Sequence, residues 1–313
     1  SSYTAGNFSV NADGLAAGDY YIELNSYFGT EATTYTFVPS FTPAAFTNDA
    51  EPNNTSAQAI TMAVGDSVTG HTGYRAGAVR DDVDWWKVTP SKDGRIDFTL
   101  SSQNGQNVYA ELLDGDGATV LAGGYTTGTT GWNKDGLAPG TYYIRIHTFY
   151  TSEFAPYYLK VNLVLPPNNT EGAANNDNAL TAMIVHPGDS VNGHIGYHYN
   201  GARDGFDWYK LTLGNDGRLD FTQNSLNSQN IYLELFDGDT TTLLGGGYTT
   251  GTTSWSKDGL GAGDYYFRVQ TFYASEFGPY AFKVVFTPTV QNDPEPNGTF
   301  GTATVIHDGD SLT

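Results

Sequence analysis

The sequence predicts an all-β protein made of tandem antiparallel β-sandwich domains, jelly-roll-like in arrangement, repeating about every 122 residues. Three observations carry this. Gly123 to Tyr150, GGYTTGTTGWNKDGLAPGTYYIRIHTFY, returns at Gly246 to Tyr273 as GGYTTGTTSWSKDGLGAGDYYFRVQTFY. Apolar residues alternate with polar ones at period two, the signature of strands with one wet face. Turn signals recur every 8 to 12 residues, and no long segment has helical period.

Residues 1–46 read as the back part of a repeat. SSYTAGNFSVNADGLAAGDYYIELNSYF matches Gly123 to Tyr150 at an offset of 122, with Tyr3, Gly6, Asp13, Gly14, Leu15, Gly18, Tyr20 and Tyr21 in register. Residues 49–165 form one complete repeat and 174–288 a second, with Asp84-Trp85 recurring as Asp207-Trp208 and Trp132 as Trp255, each 123 residues on. Residues 292–313 open a further repeat, since DPEPNGTFGTATVIHDGDSLT from Asp293 matches DAEPNNTSAQAITMAVGDSVT from Asp49. Solenoid turns and propeller blades repeat at roughly 20 to 50 residues, so each period here is a whole domain.

Within the first complete repeat, Thr55 to Met62 has the makings of a single helical turn. RIDFTL then puts Ile96, Phe98 and Leu100 on one face, and YYIRIH puts Ile144 and Ile146 inward with Tyr143, Arg145 and His147 outward. YYFRVQ repeats the pattern with Phe267 and Val269. Turns are expected at 92–94 (KDG), 114–117 (DGDG) and 134–140 (KDGLAPG). DGDG lacks the long spacing to a terminal Glu of a calcium-binding helix-loop-helix, and reads as a hairpin turn.

Fourteen Lys and Arg face 34 Asp and Glu, a formal charge of -20, which argues against nucleic acid or an anionic membrane as partner and makes cations the natural counter-ions. Cysteine is absent, so packing, hydrogen bonds or bound metal must hold each domain. With 22 Tyr and 38 Gly, this is the composition of a bacterial-type secreted or cell-surface protein. Neither a signal peptide nor a membrane-spanning run is found.

DAEPNN supplies Asp49, Glu51, Asn53 and Asn54, oxygen donors of the kind that calcium takes six to eight of, and DDVD supplies Asp81, Asp82 and Asp84. Either the two clusters converge on an ion, which would relieve the repulsion of so many carboxylates, or they are a solvated linker and a polar loop.

The order DAEPNNT, GDSVTG, DDVDWWKV, IDFTL, VYAELLD, GTYYIRI, YYLKV resembles the bacterial pre-peptidase C-terminal domain family, and the likeness extends over both complete repeats and, in part, both ends. The resemblance implies a small β-sandwich appended to secreted peptidases and other exported enzymes, often calcium-binding and in some members gripping collagen or another insoluble substrate. It implies a ligand set of Asp49, Glu51, Asn53, Asn54, Asp81 and Asp84. The second repeat departs from the pattern, with Ala174 and Gly172 in place of Glu51 and Asp49, leaving Asn176, Asp177, Asp204 and Asp207 with Glu171 as a substitute. In the third opening Asp293, Glu295 and Asn297 are present.

Catalysis is not expected. His71 and His194 occupy equivalent positions, but neither G-x-S-x-G nor H-E-x-x-H occurs. Tyr143, Tyr150, Tyr158 and Trp132, with Tyr266, Tyr273 and Trp255, form a sugar-stacking or protein-binding strip, or else cover the core and pair across strands. Sequons at Asn7, Asn53, Asn54, Asn168 and Asn297 make glycans an expected partner, first at Asn7 and Asn168. The function expected is an extracellular structural protein, a stalk, fibre, filament or adhesin of calcium-stiffened repeats that meets copies of itself or adjacent repeats head to tail, by strand complementation. The alternative is a substrate-binding accessory region of a secreted hydrolase, directed to collagen, chitin or another polymer.

Overall fold

Strand formation follows the alternation. Over Gly94–Ser102 burial alternates without a break, enclosing Ile96, Phe98 and Leu100, and over Tyr142–Thr148 Ile144 and Ile146 face inward while Tyr143, Arg145 and His147 are half-buried on the outer face. The computed structural model describes residues 6–167, 176–290 and 297–311 and divides into two units, Ser1–Leu165 and Pro166–Thr313.

The first unit contains β1 (Ile60–Thr61), β2 (Ser67–Thr72), β3 (Arg75–Ala76), β4 (Val79–Arg80), β5 (Val83–Val88), β6 (Gly94–Ser102), β7 (Val108–Leu113), β8 (Val120–Thr126), β9 (Thr129–Leu137), β10 (Tyr142–Thr148) and β11 (Ala155–Val164). One sheet runs β1-β5-β10-β7-β8; β9, β6, β11 and β2 lie side by side in the other, and β3 and β4 pair as a short hairpin. All these pairings are antiparallel except β1 on β5, which is parallel with Ile60 opposite Trp86. Trp86, Val88, Leu112 and Ile144 of the first sheet and Phe98, Leu100, Tyr157 and Leu159 of the second are buried, as the two inner faces of a sandwich require.

The second unit repeats the plan with β12 (Met183–Ile184), β13 (Ser190–Ile195), β14 (His198–Tyr199), β15 (Ala202–Arg203), β16 (Asp207–Leu213), β17 (Gly217–Ser225), β18 (Ile231–Phe236), β19 (Leu243–Thr249), β20 (Thr252–Leu260), β21 (Gly263–Thr271) and β22 (Gly278–Pro288). Its sheets run β12-β16-β21-β18-β19 and β13-β22-β17-β20. Tyr209, Leu211, Phe221, Leu233, Phe267 and Phe282 lie at the centre of its core, with Trp255 packed against them. The fold class is therefore all-β, in two sandwiches.

The turns at 92–94 and 114–117 fall where the sequence puts them, but residues 134–137 of the third continue β9, with Gly136 at φ +75°, and the chain turns only over 138–141. Asp114 to Gly117 closes the β7–β8 hairpin, with Gly117 at φ +65° and Asp116 accepting from the backbone of Ala118 and Thr119. The helical turn expected over Thr55 to Met62 shrinks to a three-residue 3-10 turn, Ser56–Gln58, because Ile60 is already engaged in β1. It recurs at Ala179–Thr181 and Phe300–Thr302. Residues 6–47, expected to carry strands, contain none in the structure: Leu15 bridges Arg75, and the Tyr20 hydroxyl donates to the Arg75 carbonyl at 2.8 Å. No helix among the described residues is long and apolar enough to cross a membrane.

Candidate metal centre

The Trp85-Trp86 strand must enter the core, and the polar residues just before it are drawn in with it. Asp84, at the second position of β5, is fully buried. The backbone of DAEPNN is tied to the same point, because the Trp85 N–H donates to the Asn53 carbonyl at 2.9 Å. Asp49 is anchored from a third side, where its Oδ2 accepts from the amide of Asn53 at 2.5 Å and from the Tyr157 hydroxyl at 3.3 Å.

Carboxylate oxygens of Asp49, Glu51 and Asp84 consequently all lie within 4.8 Å of one another. Neither oxygen of Asp84 has a hydrogen-bond donor, and the same holds for both oxygens of Asp81, for Oδ1 of the fully buried Asn53 and for the hydroxyl of the fully buried Thr72. Tyr157 has one proton to give, and at 3.3 Å it gives it to Asp49; its own oxygen is taken by the indole N–H of Trp86 at 2.9 Å. Gly70, on β2 opposite Tyr157, keeps the space open: a Cβ there would run into the Tyr157 hydroxyl and come within 2.8 Å of Asp49 Oδ1.

Crowded, dehydrated carboxylates hold their protons. Burial, then the charges of Glu51 and Asp49, pushes Asp81 up to about 7, and burial with Asp49 and Asp81 pushes Asp84 well above the usual carboxylate range. Asp49 is raised by burial, and Glu51 by burial and then Asp49. Such a set of oxygens suits a hard cation such as calcium, which takes carboxylate and amide oxygens together and supplies the missing charge. Asn54 is exposed and stands apart from the three clustered carboxylates. Thr72 and Tyr157 were not singled out in the sequence; the signal for Tyr157 was its recurrence as Tyr280.

In the second unit Asn176 and Asp207 are buried and Asp204 is half-buried, while Asp177 is exposed. Trp208 N–H donates to the Asn176 carbonyl at 2.8 Å, as Trp85 does to Asn53. Asp207 accepts from the Tyr280 hydroxyl at 2.7 Å, and Tyr280 and Tyr209 share a hydroxyl contact at 2.5 Å. Glu171, Asp293, Glu295 and the sequon at Asn168 lie outside the described residues; Asn297 is half-buried.

The remaining candidates separate by burial. His71 Nε2 meets the Phe46 carbonyl at 2.6 Å and His194 Nε2 the Pro167 carbonyl at 2.8 Å, so both rings tie backbone segments to the sandwich. Trp132 stacks on Phe98 and Trp255 on Phe221, at 5.5 and 4.3 Å between centroids. Tyr143 packs edge-on to Trp85, and the Tyr158 hydroxyl donates to Ser67 at 2.6 Å. Trp132 and Trp255 thus cover the core, Tyr143 and Tyr158 are half-buried on the outer faces of their sheets, and Tyr150 and Tyr273 alone of that group are exposed by half or more. Of the overlapping sequons, Asn53 is enclosed with its amide nitrogen on Asp49, leaving Asn54 and Asn7 accessible.

No family model matches the chain, and no curated protein matches it. Among solved structures, distant similarities are found. The pre-peptidase C-terminal domain of collagenase from Bacillus anthracis is 17% identical, covering 36% of this chain and 100% of that one with a TM-score of 0.28. A putative secreted protein from Eubacterium rectale is 12% identical over 78% of this chain and 85% of its own, with a TM-score of 0.27. The CBM22-1-CBM22-2 tandem domain of Paenibacillus barcinonensis Xyn10C is 13% identical over 76% and 95%, with a TM-score of 0.19. The chain thus has a distant structural similarity to the pre-peptidase C-terminal domain and to other β-sandwich domains.

Proposed function

We propose that the chain is a non-catalytic accessory region of an exported bacterial protein, in which tandem β-sandwich modules, the first locked by calcium, present a binding surface to an extracellular polymer. The observation that carries the calcium part is the buried Asp84 carboxylate, with no donor to either oxygen and two further carboxylates within 4.8 Å. Asp49, Glu51, Asp81 and Asp84 would hold the ion, with the Asn53 amide oxygen and the Thr72 hydroxyl as neutral donors. The ion would join the DAEPNN segment to β2 and β5, so its effect is mechanical. Supporting the non-catalytic reading, the two histidines most like bases are held by backbone carbonyls.

Thermal unfolding of the metal-free chain with and without millimolar calcium tests this. A melting temperature unmoved by calcium removes the metal from the account, and an Asp84→Asn chain that still responds removes the assigned ligands. A second reading, self-assembly into a fibre, is favoured by residues 6–47, whose repeat-matched apolar side chains remain open to solvent, Tyr21 at 93% and Ile22 at 61%. Electron microscopy and sedimentation of the purified chain decide between the readings: fibres favour assembly, and a dispersed monomer favours the accessory region.

A further inference from the structure

Antiparallel register places residues of three neighbouring strands in one row across a sheet. In the second unit Tyr232 of β18 lies opposite Tyr248 of β19 on one side and Gln270 of β21 on the other. In the first unit the same row is Tyr109 of β7, Tyr125 of β8 and His147 of β10. The chain leaving the third strand then turns two more rings toward this row. Tyr248 lies 6.3 Å from Phe272, which meets Tyr273 edge-on at 4.8 Å; Tyr125 lies 5.7 Å from Phe149, which meets Tyr150 at 4.7 Å.

These rings are not core. Tyr125, Phe149 and Tyr150 are 60, 50 and 58% exposed, and Tyr248, Phe272 and Tyr273 are 64, 59 and 58% exposed. Two copies that differ elsewhere hold the same three rings at the same exposure. The worn first copy carries Tyr27 and Phe28 at the matching position, edge-on at 4.8 Å and equally open. The loops that present the rings are built firmly: Glu153 accepts from the Tyr150 N–H at 2.8 Å and from the Asn107 amide at 2.8 Å, and Glu276 does the same for Tyr273 and Asn230.

In the second unit the row and the loop enclose an open cleft of about 410 Å³ lined by Tyr232, Tyr248, Gln270, Thr271 and Phe272. Every lining residue is uncharged, in a chain of net charge -20. Gln270 donates its amide N–H to Glu234 at 2.9 Å, which fixes the side chain and leaves its carbonyl oxygen as an acceptor. Aromatic faces beside tyrosine hydroxyls and an amide suit a ligand that alternates apolar faces with hydroxyl groups. The row spans about 10 Å over three strands, long enough for linked rings rather than one.

We infer that this aromatic row, present once in each sandwich and bordering a cleft in the second, is a binding site for a neutral polysaccharide. The inference rests on the accessory-region reading and names the polymer class that region would hold. The absence of charge from the lining favours a neutral chain over an acidic one, which the acidic surface would repel. Two aromatic rows on one chain gain by linkage where one polymer reaches both, so a long polymer is then held more tightly than a short oligosaccharide.

Retention of the full chain on insoluble cellulose, xylan, chitin and β-glucan, with collagen and polygalacturonate as comparisons, tests the inference. At least one neutral polysaccharide should retain it, Tyr248→Ala or Tyr125→Ala alone should weaken retention about tenfold, and the double variant should abolish it. Gln270→Ala provides a variant with no ring removed and should weaken retention severalfold; unchanged melting curves establish that each variant is folded. Retention on none of the four neutral polymers, retention only on collagen or polygalacturonate, or retention equal in the double variant overturns the inference. Asp84→Asn, assayed well below its melting temperature, should bind polymer as the parent does, so loss of the calcium effect and loss of polymer binding are read separately.

Discussion

Lowering the pH should stabilise the metal-free first unit, the reverse of ordinary acid denaturation. Asp81 is raised from 3.8 to about 7 in the folded state, and Asp49, Glu51 and Asp84 move the same way. Between these limits the folded chain binds more protons than the unfolded chain, so stability falls as pH rises from about 4 to 7 and is greatest below the unfolded value. For Asp81 the shift of about three units corresponds to about 4 kcal/mol at 1.36 kcal/mol per unit. The group keeps some contact with water, and about half of that, ~2 kcal/mol, is the more realistic share. About two of the three units lie above pH 5, so for a sandwich of this size it amounts to a fall of about 5 °C in melting temperature between pH 5 and pH 8. Calcium at about a hundred times its Kd restores about 2.7 kcal/mol, and because the ligands must be ionised it does so mainly at the higher pH. Calorimetry in metal-stripped buffer from pH 5 to 8, with and without calcium, reads both slopes. Asp81→Asn/Asp84→Asn gives the contribution of overall charge. A metal-free melting temperature that is flat or rises over this range, or a slope that the double variant retains in full, refutes the reasoning.

Three other outcomes follow from the same geometry. Gly70→Ala should lower stability by about 1–3 kcal/mol and remove the calcium response, since its Cβ meets Tyr157 and Asp49; a full calcium shift in that variant would show that the space is not part of the site. Trp132→Ala should cost about 2 kcal/mol by uncovering Phe98 while leaving polymer retention intact, measured by urea unfolding and by the retention assay. Glu153→Ala should cost about 2 kcal/mol through the N–H groups of Tyr150 and Asn107 that it leaves unpaired, and should speed hydrogen exchange in the β10–β11 loop.

The fold was legible because alternation and repetition agree. Ile96, Phe98 and Leu100 announce a half-buried strand, and the 123-residue return of Asp84-Trp85 counts the domains. The acidic clusters were legible as candidates by composition, and the structure brings Asp49, Glu51 and Asp84 together because the Trp85 N–H bonds to Asn53. Thr72 could not be found that way: one threonine among many has no pattern, and only its burial without a partner marks it. Which rings are exposed was left open by the sequence for a related reason. Tyr143 and Tyr125 look alike in sequence, but Tyr143 packs on Trp85 while Tyr125 sits on β8, at the edge of its sheet, and only strand order separates them.

The two sandwiches meet the same burial problem with different chemistry, which predicts how one chain will melt. Asp84 and Asp207 hold equivalent positions and are equally enclosed. In the second unit tyrosine replaces Trp86, as Tyr209, and its hydroxyl meets that of Tyr280, whose proton then goes to Asp207 at 2.7 Å. In the first unit Trp86 donates to Tyr157, whose proton goes to Asp49, and Asp84 is left without a donor. A buried carboxylate that accepts a hydroxyl proton needs a cation less than one that does not. Calorimetry of the whole chain should therefore resolve two transitions, of which the one assigned by hydrogen exchange to residues 60–164 moves up with calcium and the other moves little. Equal shifts of both transitions would mean that the tyrosine pair does not substitute for the ion, and would place a full calcium site in the second sandwich as well.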